Sequence, residues 1–414
     1  MKVLLVTYGS TGDVRPLLAL GRALHGKGLR VRICAPPDSQ PLIEDTGLRF
    51  SPLGSSVRNL MDAQAHRLVG RPLAAMVPMN RILHKELENQ FRQLPEEVAA
   101  ADLVICSGLA LAVPSVAEAC RVPYHFAASI PALLPSKYHA PLTVPWQNLP
   151  GICNLMLWHC ARHLLDIGYR PILNRHRRLL GLPPLKHIMA HLTANMMIAA
   201  DRELAPLPPE APHDCRQTGY WHLSTKTSLP VAVERFLDQG PPPIYVGFGS
   251  MGDPHPQRSV SLLRRSARLA GLRAIIQSGW AGLGFESDAE CLCVKASIPH
   301  EPLFARVRAA VHHGGAGTTM AAARAGIPQV VVPHLLDQYY WGQRIVQNGL
   351  GPPPIPKNKM RVERLARAMR RIAFSSSMRA RARTLARPLQ KRDGVAEAVR
   401  WLTGNGASQA RTFP

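Results

Sequence analysis

Residues 2–8, KVLLVTY, form an apolar run that closes on the glycine-rich turn GSTGDVRP. A short apolar run with no helical period, ended by such a turn, predicts a strand buried on both faces. Leu17, Leu20 and Leu24 then recur at spacings of three and four, with Pro16 near the position where this pattern would start a helix. RVRICAPP, DLVICSG near 102–108 and VPYHFAAS predict further strands, with a helix signal around Pro114–Ala119. Strand–helix–strand order with short Gly/Pro punctuation predicts a parallel, doubly wound sheet. Between 203 and 243 the texture changes to the proline-rich ELAPLPPEAPHD and QGPPPIYVGFGSMG. The pattern then restarts, with IYVGFGS, LRAIIQSG, the AAV of ARVRAAVHHGG and IPQVVVP as strands, and RSVSLLRRSARLA and AGTTMAAARAG as helices. The fold class is therefore α/β, with two Rossmann-like domains facing each other across a cleft. The expected boundaries are 1–215 for the first domain, 216–240 for a linker and 241–392 for the second domain.

A length of 414 residues suits two domains, and 46% hydrophobic with 19% charged residues is a globular balance. The longest apolar stretches fall short of the roughly 20 residues of a membrane span. The N-terminus has neither the longer apolar core nor the small-residue cleavage site of a signal peptide, so the expected location is cytoplasmic. Eight cysteines, none in a C-x-x-C pair and most inside apolar runs, agree with a reducing compartment. The 17 histidines include no H-E-x-x-H and no zinc-finger spacing, so no metal is expected.

Charge complicates this picture. Fifty Lys/Arg against 27 Asp/Glu give +23, which first suggests nucleic acid or an anionic membrane. Segment 357–400 carries fourteen of the basic residues against Glu363, Asp393 and Glu397, a net +11. Val362, Leu365, Met369 and Ile372 recur there at spacings of three and four, with Arg361, Arg364, Arg367, Arg370 and Arg371 on the other faces. An amphipathic surface helix with a solvated basic face is the simpler reading. No nucleic-acid-binding module and no aromatic/basic interleaving accompany it, so nucleic acid is not an expected partner. Peripheral contact with an anionic membrane, at the inner membrane face, is compatible with the charge. Residues 405–414 read as a frayed tail.

Four segments carry chemistry. HHGGAGTT at 312–319 joins an apolar strand to a helix. Its free backbone N–H groups at a helix N-terminus, next to Gly315, Ala316 and Gly317, suit an anion, and Thr318, Thr319 and a histidine can add donors. Gly247–Gly252 fits G-x-G-x-x-G, but the next strand ends in Gln277-Ser278 and lacks the acid that binds ribose in a dinucleotide site. In PHLLDQYYWGQRI, Asp337 and Gln338 follow a strand, where a carboxylate beside a carboxamide suits vicinal sugar hydroxyls; a helix cap with aromatic core residues explains the same pattern. Asp13, in the first turn, could take a proton from a hydroxyl and is equally an N-cap.

Taken in order, GSTGDVRP, QTGYW at 217–221, PIYVGFGSM, PHEPLF at 299–304, HHGGAGTT and PHLLDQYYWGQRI resemble the family-1 nucleotide-sugar glycosyltransferases of the GT-B fold, in the branch of antibiotic, rhamnolipid and sterol enzymes. The resemblance spans nearly the whole chain. It implies an acceptor-binding N-terminal domain, a C-terminal domain that binds the nucleotide sugar, and a final helix, 393–404, that crosses back onto the first domain. By the same resemblance Ser250, His313, Gly315, Ala316, Gly317 and Thr318 would hold the donor diphosphate, and Ile298 would meet the base through its backbone. Asp337 and Gln338 would bind the sugar, and Asp13 would be the catalytic base where plant relatives have a histidine. Single displacement would invert the anomeric centre. The co-substrate would be a UDP- or dTDP-sugar, glucose-like by the Asp-Gln pair, and no separate cofactor or metal is implied. The Pro/Leu/Trp/Met-rich stretch 131–165 favours a hydrophobic small-molecule acceptor such as a polyketide, sterol or lipid. The competing readings are a NAD- or FAD-dependent oxidoreductase using Gly247–Gly252, and a basic protein of membranes or nucleic acid. The run Pro352–Pro354 has no functional reading.

Overall fold

The computed structural model describes residues 1–60, 72–223 and 228–404, leaving aside the side chains of 72–79; part of the expected linker and the expected tail lie outside the described residues. Two parallel sheets dominate it. The first has the order β3-β2-β1-β4-β5-β6-β7, with β1 Lys2–Tyr8, β2 Arg30–Ala35, β3 Arg49–Pro52, β4 Leu103–Gly108, β5 Tyr124–Ala128, β6 Met196–Ile198 and β7 Arg216–Gln217. The second has the order β10-β9-β8-β11-β12, with β8 Ile244–Gly247, β9 Ala274–Gln277, β10 Cys291–Val294, β11 Ala309–His312 and β12 Gln329–Val331. Arg216 and Gln217, at the start of the expected linker, thus form the edge strand of the first sheet, paired with Met197 and Ile198.

β1 is buried from Val3 to Tyr8 because helices cover both faces of its sheet. The first helix begins at Thr11, not near Pro16. Ser10 is its cap, accepting from Gly12 N–H and pairing with Asp13 in a reciprocal box, and Pro16 lies inside the helix Thr11–Gly26. That helix buries Val14, Leu17 and Leu18 in one cluster with Val395, Ala398, Val399 and Leu402 of the final helix Gly394–Thr403. The chain therefore crosses from the second sheet back to the first. At the crossing, Gly394 lies so close to Gly219 and Tyr220 that a Cβ would stand 2.5 Å from the Tyr220 carbonyl oxygen.

The basic segment folds into two helices, Val362–Phe374 and Ser376–Lys391, split by Ser375, whose hydroxyl caps the second. Several of its guanidinium groups donate to carbonyls at helix ends. Arg370 reaches Leu269 and Ala270, and Arg379 reaches Ala373. Cations at those termini complement the helix dipole. The proline run is structural too, since Pro354 packs against Gly342 of the helix Asp337–Gln347. No helix among the described residues is long and apolar enough to cross a membrane.

Candidate active site

In each sheet the strand order reverses beside its first strand, between β1 and β4 and between β8 and β11. Crevices at the carboxyl ends of strands at such reversals are where open α/β sheets bind ligands. β8 and β11 run in register from Ile244↔Ala309 to Gly247↔His312, so the turns that follow them, 248–252 and 313–316, emerge side by side.

His313 sits between these turns. Gly249, at φ +59, lets the main chain pass the ring where a Cβ would lie 2.8 Å from its Cε1. A Cβ on Gly315 would fall well inside contact distance of the neighbouring Nε2. The imidazole is therefore gripped by two positions that have no side chain. Burial pushes its pKa well down, helped by neighbouring histidines, and its buried Nδ1 has no hydrogen bond of good geometry, although the Gly247 backbone lies close enough to raise its basicity a little. His312 has a different role. Its Nδ1 accepts the Gly314 N–H at 3.1 Å and its Nε2 faces Gln329 Oε1 at 2.8 Å, which fixes the turn from within the sheet.

Gly315 caps the helix Ala316–Arg324, so the N–H groups of Ala316, Gly317 and Thr318 lie in its first turn and face away from any intrahelical partner. Thr319, expected as a further donor, is committed elsewhere: it is fully buried and its hydroxyl donates to Gly315 O at 2.9 Å. Ser250 stands in the turn opposite. That turn is anchored from below, because Lys357 Nζ pairs with Asp253 at 2.7 Å and bonds Ser259 at 3.0 Å. The Ile298 side chain is buried in a cluster with Val294 and Leu303, which leaves only its main chain for a ligand.

Trp280, just beyond β9, escaped the sequence reading because a lone Trp gives no signal until its turn is placed. Its backbone N–H donates to Gly249 O at 3.0 Å, and Arg58 of the first domain stands 5.8 Å over its ring. The indole thus faces the other domain beside the glycine turn. A planar wall in that place suits a nucleobase.

Asp337 opens its helix directly after Leu336, whose φ of +47 puts a branched side chain in the left-handed region. Backbone strain of this kind concentrates at ligand sites. Burial, and after it the facing charge of Asp13, push the Asp337 carboxyl up to about 7. Asp13 is itself raised by burial, while its bonds from Ser10 N–H at 2.8 Å and Ser10 Oγ at 3.3 Å pull it back. One carboxyl comes from each domain, near enough for the charge of Asp13 to act on Asp337. The capping role considered for Asp13 is thus present, with Ser10 rather than Asp13 as the cap. Gln338 is 3% exposed, and its Oε1 accepts from His334 N at 2.7 Å and Leu335 N at 3.2 Å, leaving its amide nitrogen beside Met251.

Comparison with known proteins follows this geometry. Residues 3–136 match the glycosyltransferase family 28 N-terminal domain, and residues 290–403 match the erythromycin biosynthesis protein CIII-like C-terminal domain. The vancomycin aglycone glucosyltransferase of Amycolatopsis orientalis is 36% identical over 97% of both chains. A sterol 3-beta-glucosyltransferase of Arabidopsis thaliana is 29% identical over 96% of this chain and 67% of its own. Among solved structures, glycosyltransferase VinC in complex with dTDP superposes with a TM-score of 0.69 at 21% identity, covering 99% of this chain and 100% of VinC. With such identity running from end to end, and the same two-sheet architecture, the chain belongs to the glycosyltransferases of the GT-B fold that join a family 28 N-terminal domain to an EryCIII-like C-terminal domain.

Proposed function

We propose that the protein transfers a glucose-like hexose from a UDP- or dTDP-sugar to a hydroxyl of a lipophilic natural-product, sterol or lipid acceptor, with inversion and without a metal. The observation that carries this reading is that the Gly314 turn packs against Gln338, which places Asp337, within the influence of Asp13 from the first domain, beside the His313 turn. The relatives lend weight to it: one is named for glucosylating a vancomycin aglycone, another for glucosylating sterols, and VinC was solved with dTDP.

In this mechanism Asp13 takes the proton of the acceptor hydroxyl, which attacks the anomeric carbon from the face opposite the diphosphate. Burial raises the basicity of Asp13, as a general base requires. The bond to the diphosphate breaks, and the negative charge left there is met by the N–H groups of Ala316, Gly317 and Thr318, by Ser250 and by His313. A diphosphate beside Nε2 would supply the anion that favours a proton on that nitrogen. Asp337 accepts from sugar hydroxyls, and Gln338 offers its amide nitrogen, since its oxygen is taken by backbone. Trp280 and the main chain at Ile298 flank the base. In this reading the first domain, 1–215, holds the acceptor; the second, 241–392, holds the donor; and 393–404 ties them. The protein works in the cytoplasm, and the exposed arginines of 361–371 are the surface that would touch an anionic membrane.

The test is product mass spectrometry with UDP- and dTDP-sugars against a library of hydrophobic aglycones, run with and without EDTA. A glycosylated aglycone with inverted configuration, formed equally in EDTA, is expected. Asp13→Asn should lower kcat by about 10²–10⁴-fold with nucleotide affinity unchanged in calorimetry. Transfer only to polar acceptors, or restoration by Mn²⁺ after chelation, would overturn this reading.

A further inference from the structure

A second cavity, of about 370 Å³, lies on the seam between the domains. Its walls come from the loop carrying Tyr138, His139 and Gln147, from the proline-rich stretch at Pro208, and from Tyr340 and Arg344 on the helix that begins with Asp337. None of the residues assigned above to donor or catalysis lines it.

Three polar groups in this cavity keep hydrogen-bonding capacity for a ligand. His139 is 6% exposed, yet neither ring nitrogen makes a hydrogen bond of good geometry, though the Ala140 backbone approaches it. Burial pushes its pKa down to about 4, so it is neutral and can both donate and accept. Gln147 is also 6% exposed; its amide nitrogen serves Pro141 O and Val144 O, while its Oε1 has no partner. Arg344 donates to Leu204 O and Gln347 Oε1, and no carboxylate pairs with its guanidinium among the described residues. Burial lowers its pKa. Glu210, whose charge acts on His139, is exposed and bonded by Ser136.

Buried polar groups left unpaired work against the fold. Those of His139 and Gln147, converging on one cavity beside the half-buried Arg344 guanidinium, describe a ligand's complement more than a packing defect. The flat walls supplied by Tyr138, Tyr340 and Pro208 select a planar body. The Tyr340 ring meets His139 edge-on with centroids 5.7 Å apart, so the polar and planar surfaces are continuous.

We propose that this seam cavity binds a hydroxylated aromatic carboxylate, its carboxylate on Arg344, its ring against Tyr138 and Tyr340, and its hydroxyl shared by His139 and Gln147. Such a ligand has two sources. It is the far end of an acceptor, because Tyr340 to Gln347 lie about 5–15 Å along the helix from Asp337. Or it is a separate small molecule that sets domain posture. The first source rests on the acceptor reading above, whereas binding itself does not.

The probe is 4-hydroxybenzoate, titrated onto the full chain by calorimetry and ligand-observed NMR, with 4-hydroxybenzamide as its neutral twin. His139→Phe keeps the edge-on ring contacts and removes both nitrogens, so it spares the fold. Arg344→Met is the second variant, read only if its Tm stays near that of the wild type. Saturable binding of the benzoate, at least tenfold weaker for the amide and for His139→Phe, with UDP and dTDP affinities unchanged, is expected. Competition by a productive acceptor assigns the cavity to the acceptor's far end; binding without competition assigns it to a separate ligand. No saturable binding at millimolar probe, or equal binding by the amide and by His139→Phe, overturns the proposal and leaves the glycosyl-transfer reading untouched.

Discussion

Replacing Gly315 by Ala puts the grip on His313 to a direct test. Gly315 has φ −64° and ψ 144°, a conformation any residue adopts, so the substitution carries no backbone strain. Its effect is steric. The new Cβ would press on Nε2, and the imidazole must withdraw by about 1 Å to regain ordinary contact near 3.4 Å. The Gly249 turn approaches the same Nε2–Cε1 edge, so the ring is crowded from both turns at once. The ring must rotate out of place, and the leaving diphosphate loses one positioned donor. Removing one such donor typically costs about 2.7–4 kcal/mol, or 10²–10³ in kcat. Gly317→Ala is the matched control. Its Cβ meets only the Tyr220 hydroxyl, at 3.3 Å, and alanine favours the helix by about 1 kcal/mol. Steady-state kinetics on both variants, with Tm measured in parallel, separates the two effects. If Gly315→Ala retained kcat within about threefold of wild type, His313 would not be held in the transition state as argued here.

The other predictions concern stability. Because Asp337 is raised from 3.8 to about 7, its ionised form works against the fold; the penalty is absent at the acid end and grows as pH rises through that interval. Asp337→Asn should therefore raise Tm at pH 8 and leave it nearly unchanged at pH 4, and an equal gain at both would refute the assignment. Gly394→Ala should destabilise by about 1–3 kcal/mol, seen as a lower urea midpoint, because its Cβ meets the backbone of Gly219 and Tyr220; an unchanged midpoint would show that the crossing can relax.

Strands were the most legible part of this chain. Apolar runs bounded by Gly and Pro marked β1, β2, β4 and β5, and β8, β9, β11 and β12, because strands buried on both faces need no alternation to be recognised. β3 (Arg49–Pro52) and β7 (Arg216–Gln217) carry little apolar pattern, and β6 (Met196–Ile198) and β10 (Cys291–Val294) have no glycine or proline beside them to bound the run. The first helix was placed too late because Pro16 mimics a first-turn proline, while the true start lies in the Ser10–Asp13 box. HHGG marked the turn between β11 and the helix Ala316–Arg324, but only Gln329, seventeen residues away on another strand, separates the structural His312 from His313. The meaning of +23 was the least legible, since a guanidinium on a helix carbonyl and one in open water are written with the same letter. The seam cavity drew on three distant segments and left no mark in any one of them.

The helix Ala316–Arg324 offers its N-terminus to the anion turn and ends on Arg324, which donates to Leu389 O and stands 3.7 Å from the fully buried Asp201 of the first domain. Arg392 joins the same knot through Glu203 at 2.7 Å. One short rod therefore spans from the place where the donor's charge would rest to the ion pairs that join the two domains. Thermodynamic linkage makes such a connection work in both directions: if a bound diphosphate favours one domain angle, that angle favours the diphosphate by the same factor. Asp201 and Arg324 touch neither reactant. Substitutions there would appear as altered nucleotide affinity, and a screen confined to the cleft would overlook them.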